Sequence, residues 1–186
     1  SKKPVILAGQ GILHSGAMQE VKAFAERINA PVAMTLLGLG AFPASHPLNI
    51  GMMGMHGEAW VNHAIQEADL LLAFGMRFDD RVTGNLKTYA QNAKKIHIDI
   101  DPSEVNKNVA ADAAIVADLR EALKDLLDVV KPAEHDAWLK YIGSMKGDSA
   151  VRDIQTLPDN GHLYAPHVIN DIWRITDGNA IIATDV

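Results

Sequence analysis

The stretch Gly75-Met-Arg-Phe-Asp-Asp-Arg-Val-Thr-Gly84 sets two guanidiniums, Arg77 and Arg81, four residues apart with the carboxylates of Asp79 and Asp80 between them. Such a set can clamp a pyrophosphate while the acids hold the arginines in place, because planar guanidinium forks match phosphate oxygens. The same residues also read as a self-neutralising surface loop. Their position directly after the strand-like run Asp69–Phe74 favours a functional role, since ligands of parallel sheets bind beyond the carboxyl ends of strands.

Gly9-Gln10-Gly11 closes another apolar run, Pro4–Gly9, where doubly wound folds bind nucleotide phosphates at a helix N-terminus. A full dinucleotide fingerprint needs a third glycine at position 14, which is His14, and an acid at the end of the second strand, which is Thr35. Both departures speak against a nicotinamide dehydrogenase. On this motif alone, a phosphate contact and a plain tight turn stand as equal readings. Asp99, at the carboxyl end of Lys95–Ile100, can accept hydrogen bonds from ribose hydroxyls or be satisfied by nearby backbone. Asp101, Pro102 and Glu104 have the spacing of a capping box, which makes Asp101 structural. Asp118 suits a helix N-cap with or without a ligand.

Gly51-Met-Met-Gly-Met-His-Gly57 pairs flexible thioethers with glycines. That composition suits close packing on a flat ring system, and it suits a Met-rich core patch at least as well. A soft-metal site is disfavoured, with one histidine nearby and no thiolate. No metalloprotease helix, nucleophile elbow or Walker loop occurs, and the eight histidines are scattered. These loops can bind, and no catalytic or metal-ligating set is expected.

The elements that must position these residues alternate between short apolar runs and amphipathic helices. That is the signature of a doubly wound, mostly parallel sheet covered by helices on both faces, here of six strands. Strands are expected over Pro4–Gly9, Pro31–Thr35, Asp69–Phe74, Lys95–Ile100 and Ala114–Val116. The glycine- and proline-broken segment 36–57 leaves room for one more short strand. Helices are expected with apolar faces at Ala17, Val21, Phe24, Ala25 and Ile28, near Glu58–Glu67, briefly from Pro102, and along Leu119, Ala122, Leu123, Leu126, Leu127 and Val130. Residues 134–146 read as a lone helix with Trp138. Residues 147–163 have linker composition. After them a helix restarts around Val168–Trp173, and Asn179–Thr184 begins another strand. The expected organisation is a central domain over 1–146, a linker over 147–163 and the opening of a further domain over 164–186.

Bulk properties exclude several classes. The 186 residues are 48% apolar and 22% charged, ordinary for one globular α/β domain. A net charge of -6 without a Lys/Arg cluster argues against nucleic acid and anionic membranes as partners. There is no cysteine, hence no disulfide or thiolate chemistry. No apolar stretch approaches the roughly 20 residues of a membrane span, and no signal-peptide core precedes the first strand. The expected location is cytoplasmic.

Taken together, Thr35-Leu-Leu-Gly-Leu-Gly-Ala-Phe-Pro43, His46-Pro-Leu, Gly54-Met-His-Gly57, the Gly75–Gly84 loop and Ile96-His-Ile-Asp-Ile-Asp-Pro102 closely resemble the middle domain of the acetolactate (acetohydroxyacid) synthase family. The resemblance runs in unbroken order over residues 3–131. Thr184-Asp-Val186 resembles the entry into that family's thiamine-diphosphate-binding domain. It implies one domain of a three-domain enzyme that decarboxylates pyruvate and joins the two-carbon unit to pyruvate or 2-oxobutyrate, in branched-chain amino-acid synthesis. It implies FAD in this domain, with no net redox role, and thiamine diphosphate with Mg2+ in the whole enzyme. The partners it implies are the missing flanking domains, further copies of the full enzyme and a regulatory subunit. By motif, the flavin-contacting residues are Gly9, Gly11, Thr35 and Leu36, then Met53, Gly54, Met55 and His56. Gly75, Arg77, Asp79, Arg81 and Val82 follow, and then Asp99, Ile100, Asp118 and Leu119. Met55, Asp80 and Arg81 match positions near that family's active-site mouth. Gln10 and Ala117 replace smaller residues usual there, and their bulk is expected to narrow the cleft. The alternative is a structural or nucleotide-binding middle domain of another thiamine-dependent carboligase or oxidase.

Overall fold

The computed structural model describes residues 1–146 and 160–183, which fall into two compact units, Ser1–Met145 and Lys146–Val186. The first is built on a sheet of six strands. They are β1 (Pro4–Ala8), β2 (Val32–Met34), β3 (Asn49–Met52), β4 (Leu70–Phe74), β5 (Lys94–Asp99) and β6 (Ala113–Val116). All neighbours pair in parallel, in the order β3-β2-β1-β4-β5-β6. β1, β2 and β4 read as continuous apolar runs because side chains alternate between two faces and both are covered. Val5, Ile6, Leu7 and Ala8 are all fully buried.

On one face, Ile6, Ala8, Met34, Leu72, Phe74 and Ile98 form a core with helices α2 (Met18–Arg27) and α5 (Leu119–Val129). Phe24 of α2 meets Phe74 edge-on at 5.6 Å. The other face carries α3 (Ala59–Glu67), whose Trp60, Val61, Ala64 and Ile65 are buried. Helix α6 (Asp136–Ser144) is not the lone helix its sequence suggests. Trp138 and Ile142 are buried, the Trp138 indole donates to the Pro4 carbonyl (3.0 Å), and the Tyr141 hydroxyl donates to Glu67 (2.8 Å). Two apolar residues at i and i+4 suffice to dock a short helix.

Two expected elements do not form. Residues 101–106 make turns rather than a helix. Asp101 accepts from the Ser103 amide (2.8 Å), but the Asp101 amide donates to Asp99 (2.9 Å), so Glu104 has no reciprocal cap to make and pairs with Lys107 instead. In the second unit, helix α7 (Ala165–Thr176) forms as the periodicity requires, whereas residues 179–183 are not a strand. A strand needs a hydrogen-bonded neighbour, and Ile181 and Ile182 lie exposed instead. Residues 147–159 of the expected linker and Thr184 lie outside the described residues. Among the described residues, no helix is long and apolar enough to cross a membrane.

Candidate functional site

The strand order reverses at β1, which has β2 on one side and β4 on the other. The crossovers from β1 and from β4 leave toward opposite edges of the sheet, and the region beyond their carboxyl ends is the usual binding position of open α/β sheets. A cleft of about 850 Å³ lies there, within the range of small-molecule sites. It is lined by Gly11 after β1, Thr35 and Leu36 after β2, Gly75, Arg77, Asp79, Arg81 and Val82 after β4, and Asp99 at the end of β5. Nine of the residues singled out from sequence thus meet in one concavity. Gln10, His14, Leu37, Met76, Asp80, Asp101 and Glu104 complete the lining. Of these, Asp101 and Glu104 have the spacing of cap residues alone; their turn folds back toward the cleft, a tertiary fact that spacing does not carry.

The two glycines after β1 are explained by the loop opposite. Gly75 has φ +56°, and a Cβ there would come 2.6 Å from the Gly11 Cα; the reverse contact is equally close. Gly9 donates its amide to the Phe74 carbonyl (3.0 Å) and Gly11 to the Gly75 carbonyl (3.0 Å), while Ile12 returns to Gly9 (3.3 Å). These amides are already bonded within the protein, and the helix they open, α1 (Gly11–His14), is a single turn. The glycines zip the β1 loop onto the β4 loop. Those three amides are therefore committed to the protein itself.

Arg77 and Arg81 bring the positive charge to the cleft. Arg77 is exposed at the rim, with one long ion pair to Asp79 (Nε–Oδ2, 3.7 Å); among the described residues Arg81 has no ion-pair partner. Both guanidiniums keep donors available. Asp79 is the N-cap of helix α4 (Asp80–Thr83), accepting from the Arg81 and Val82 amides at 3.0 and 3.3 Å. Arg81 thus stands on a helical turn inside what the sequence shows as a polar loop. The signal was Asp79 itself, a capping residue three positions ahead of Val82.

The opposite wall is acidic. Asp99 has a side chain only 13% exposed and accepts from the Asp101 amide, leaving its second oxygen for another donor. Hydrogen bonding to Ser103 holds the Asp101 carboxyl below its usual range. Thr35 closes the end of β2, its hydroxyl accepting from the Gly38 amide (3.0 Å) as cap of a single 3-10 turn, Leu36–Gly38.

The remaining candidates lie elsewhere. Met53 is buried in the core, while Met55 and His56 are exposed, so the methionines do not form one flat platform. Gly54 and Met55 line a separate cavity of about 270 Å³ with Asp80, Arg81, Val82 and Tyr89. The Met55 amide donates to the Arg81 carbonyl (2.8 Å), and both amide atoms of Asn62 hold the Gly54 backbone at 2.9 Å. Ile100 is 70% exposed beyond the strand end. Asp118 caps α5, accepting from Arg120 (2.9 Å) and Glu121 (3.3 Å), and Leu119 is buried in the core. Gln10 reaches the cleft, whereas Ala117 does not line it. Among the described residues, no cluster of three His, Asp or Glu side chains gathers to hold a metal ion.

Comparison with known proteins matches residues 1–126 to the family described as thiamine pyrophosphate enzyme, central domain. Over the whole chain, 38% of residues are identical to the acetolactate synthase large subunit of Buchnera aphidicola subsp. Schizaphis graminum, of which it covers 33%. It is 43% identical to a probable acetolactate synthase large subunit of Methanocaldococcus jannaschii, covering 32% of that protein. It is 39% identical to the acetolactate synthase isozyme 3 large subunit of Escherichia coli, covering 33%. The chain spans about a third of the length of the curated relatives it matches.

Proposed function

Because this chain belongs to the thiamine pyrophosphate enzyme family, as its central domain, we propose that it is the FAD-binding middle part of an acetolactate synthase large subunit. One observation carries the flavin reading. The cleft at the sheet's reversal point presents two guanidiniums with available donors on one wall and the Asp99 carboxylate on the other. An elongated dinucleotide has that polarity, with phosphates to meet arginines and ribose hydroxyls to meet a carboxylate. Arg77 and Arg81 would hold the diphosphate, Asp99 a ribose, and the backbone around Gly11, Thr35, Leu36 and Gly75 would border the ring systems. Gly54 and Met55, on the far side of Arg81, would border the flavin end. Met53, His56, Ile100, Asp118 and Leu119 would act by supporting these loops, and Gly9 by seating Gly11.

In the complete enzyme, thiamine diphosphate with Mg2+, when bound, would supply the chemistry for decarboxylating one 2-oxoacid and joining the remainder to a second. This chain contributes binding and orientation. Its side chains fix the flavin and exclude water along the cleft, and no residue here is assigned a catalytic role. The same reading carries a cytoplasmic location, assembly of several copies and a regulatory subunit as partner, since the relatives are named as large subunits. It also makes residues 1–146 the central domain, 147–163 a linker and 164–186 the opening of the thiamine-diphosphate-binding domain.

Titration of the full chain with FAD, followed by flavin fluorescence, tests the assignment. Arg77→Ala and Arg81→Ala are each expected to weaken binding about tenfold or more, the usual weight of a charge-assisted phosphate contact. FAD affinity unchanged in both variants would leave only a scaffold.

A further inference from the structure

The loop that carries Arg77 is held from outside by two residues that do not line the cleft. His97, on β5, is fully buried, and its Nε2 lies 2.7 Å from the Met76 carbonyl oxygen. A carbonyl only accepts, so Nε2 carries the proton and donates, which leaves Nδ1 as an acceptor. That nitrogen is buried without a partner among the described residues, so the ring is committed to one bond. Asn108, on the turn beyond β5, donates its amide to the Phe78 carbonyl at 3.1 Å. The two captured carbonyls belong to the residues immediately before and after Arg77.

Phe78 makes the clamp necessary. It sits at φ +48°, a left-handed conformation unfavourable for a residue with a Cβ. Its ring is buried, edge-on to His97 at 5.2 Å and to Tyr89 at 6.2 Å. Without external support the peptide around Arg77 would relax toward an ordinary conformation and swing the guanidinium away. Phe78 anchors the loop by its ring, while His97 and Asn108 fix the flanking carbonyls.

We propose that His97 and Asn108 are positioning residues that aim Arg77 into the cleft, setting affinity for the diphosphate of the bound nucleotide without touching it. The inference rests on the reading of the cleft as a dinucleotide site. His97 also approaches Asp99, with Nε2 3.8 Å from Oδ2, so one buried ring spans the base of both walls.

The test is a double-mutant cycle in the full chain, reading FAD affinity by fluorescence, riboflavin as a phosphate-free probe, and melting temperature alongside. His97→Phe keeps the ring and its contact with Phe78 but removes the donor; His97→Gln restores a donor. We expect His97→Phe and Asn108→Ala each to weaken FAD binding several-fold with riboflavin binding unchanged, and His97→Gln to recover part of the loss. In an Arg77→Ala background neither is expected to add a further effect, because positioning acts only through the residue positioned. Normal FAD affinity in both variants beside a weakened Arg77→Ala overturns the proposal, as does full additivity in the double mutants. An unaffected Arg77→Ala overturns the cleft assignment itself. If circular dichroism shows that His97→Phe does not fold, Asn108→Ala, whose side chain is at the surface, decides the question alone.

Discussion

Tyr89 hides its hydroxyl in the protein without giving it a partner. The residue is buried, and its oxygen bonds to nothing among the described residues. Burial pushes its ionisation well above the usual 10.0, because the phenolate would have to be desolvated. An unmet buried hydroxyl costs about 1 kcal/mol or more, so Tyr89→Phe is expected to raise stability by about that amount, measured by urea unfolding. The sign of the pH effect follows. Above 10.0 the unfolded chain loses this proton while the native state keeps it, so stability falls as pH rises. Tyr89→Phe should flatten that alkaline slope; an unchanged slope would show the hydroxyl reaching solvent. Gly75 is the opposite case, a residue whose missing side chain is essential. With φ at +56° and Gly11 at 2.6 Å from a Cβ, Gly75→Ala forces the β1 and β4 loops apart. A loss of about 2–4 kcal/mol is expected, together with loss of FAD binding, because strain and overpacking coincide.

Helices α2 and α5 run side by side over one face of the sheet, tied at both ends. At their starts Arg120 meets Glu20 at 2.9 Å. At their ends Arg27 donates to the carbonyls of Leu127 (2.9 Å) and Val130 (3.3 Å), which the last turn of α5 cannot satisfy internally. The second tie satisfies backbone carbonyls at the end of α5. Arg27→Ala is expected to cost about 1 kcal/mol by urea unfolding, and Glu20→Gln clearly less. The Arg120 hydrogen bond holds the Glu20 carboxyl below its usual 4.5. Its contribution is therefore present above 4.5 and lost as pH falls, so Glu20→Gln should converge with the parent in acid. At this scale the sequence was legible where periodicity is strong. The apolar runs of β1 and β4 and the stripe of α5 show directly which surfaces must be buried. It was silent where an element exists because of something distant. Helix α6 depends on Trp138 finding the Pro4 carbonyl, and the turn over residues 101–106 on Asp99 taking the Asp101 amide. The candidate site divides the same way. Arg77, Arg81 and Asp99 could be named from residue type and strand-end position. His97 could not, because its meaning is one bond to a carbonyl 21 residues away.

Across the molecule the described residues differ in what holds them. In Ser1–Met145 the sheet, buried on both faces along β1, β2 and most of β4, binds every strand to its neighbours, and both termini of the unit are fastened to it. Asp69 accepts from the Lys2 and Lys3 amides at 2.6 and 2.9 Å, and Trp138 grips Pro4. In the second unit α7 is a helix of 12 residues whose apolar side is largely uncovered. Ile169 is 68% exposed, Trp173 60% and Ile175 80%. Among the described residues, its local interactions include the ion pair of Arg174 with Asp171 at 2.9 Å and a left-handed cap at Asp177, after which the Gly178 amide returns to the Trp173 carbonyl (2.9 Å). An isolated helix of about 12–15 residues is marginal in water, since local bonds barely offset nucleation and tertiary burial does the rest. A peptide of residues 160–183 should therefore show little helix by circular dichroism at room temperature. A chain of residues 1–145 should keep a single cooperative melt close to that of the full 186 residues. A strongly helical peptide would mean that propensity alone sustains α7, and a non-cooperative 1–145 would mean that the sheet's own core is insufficient. The contrast makes burial, and not helical sequence, the quantity that separates the two units.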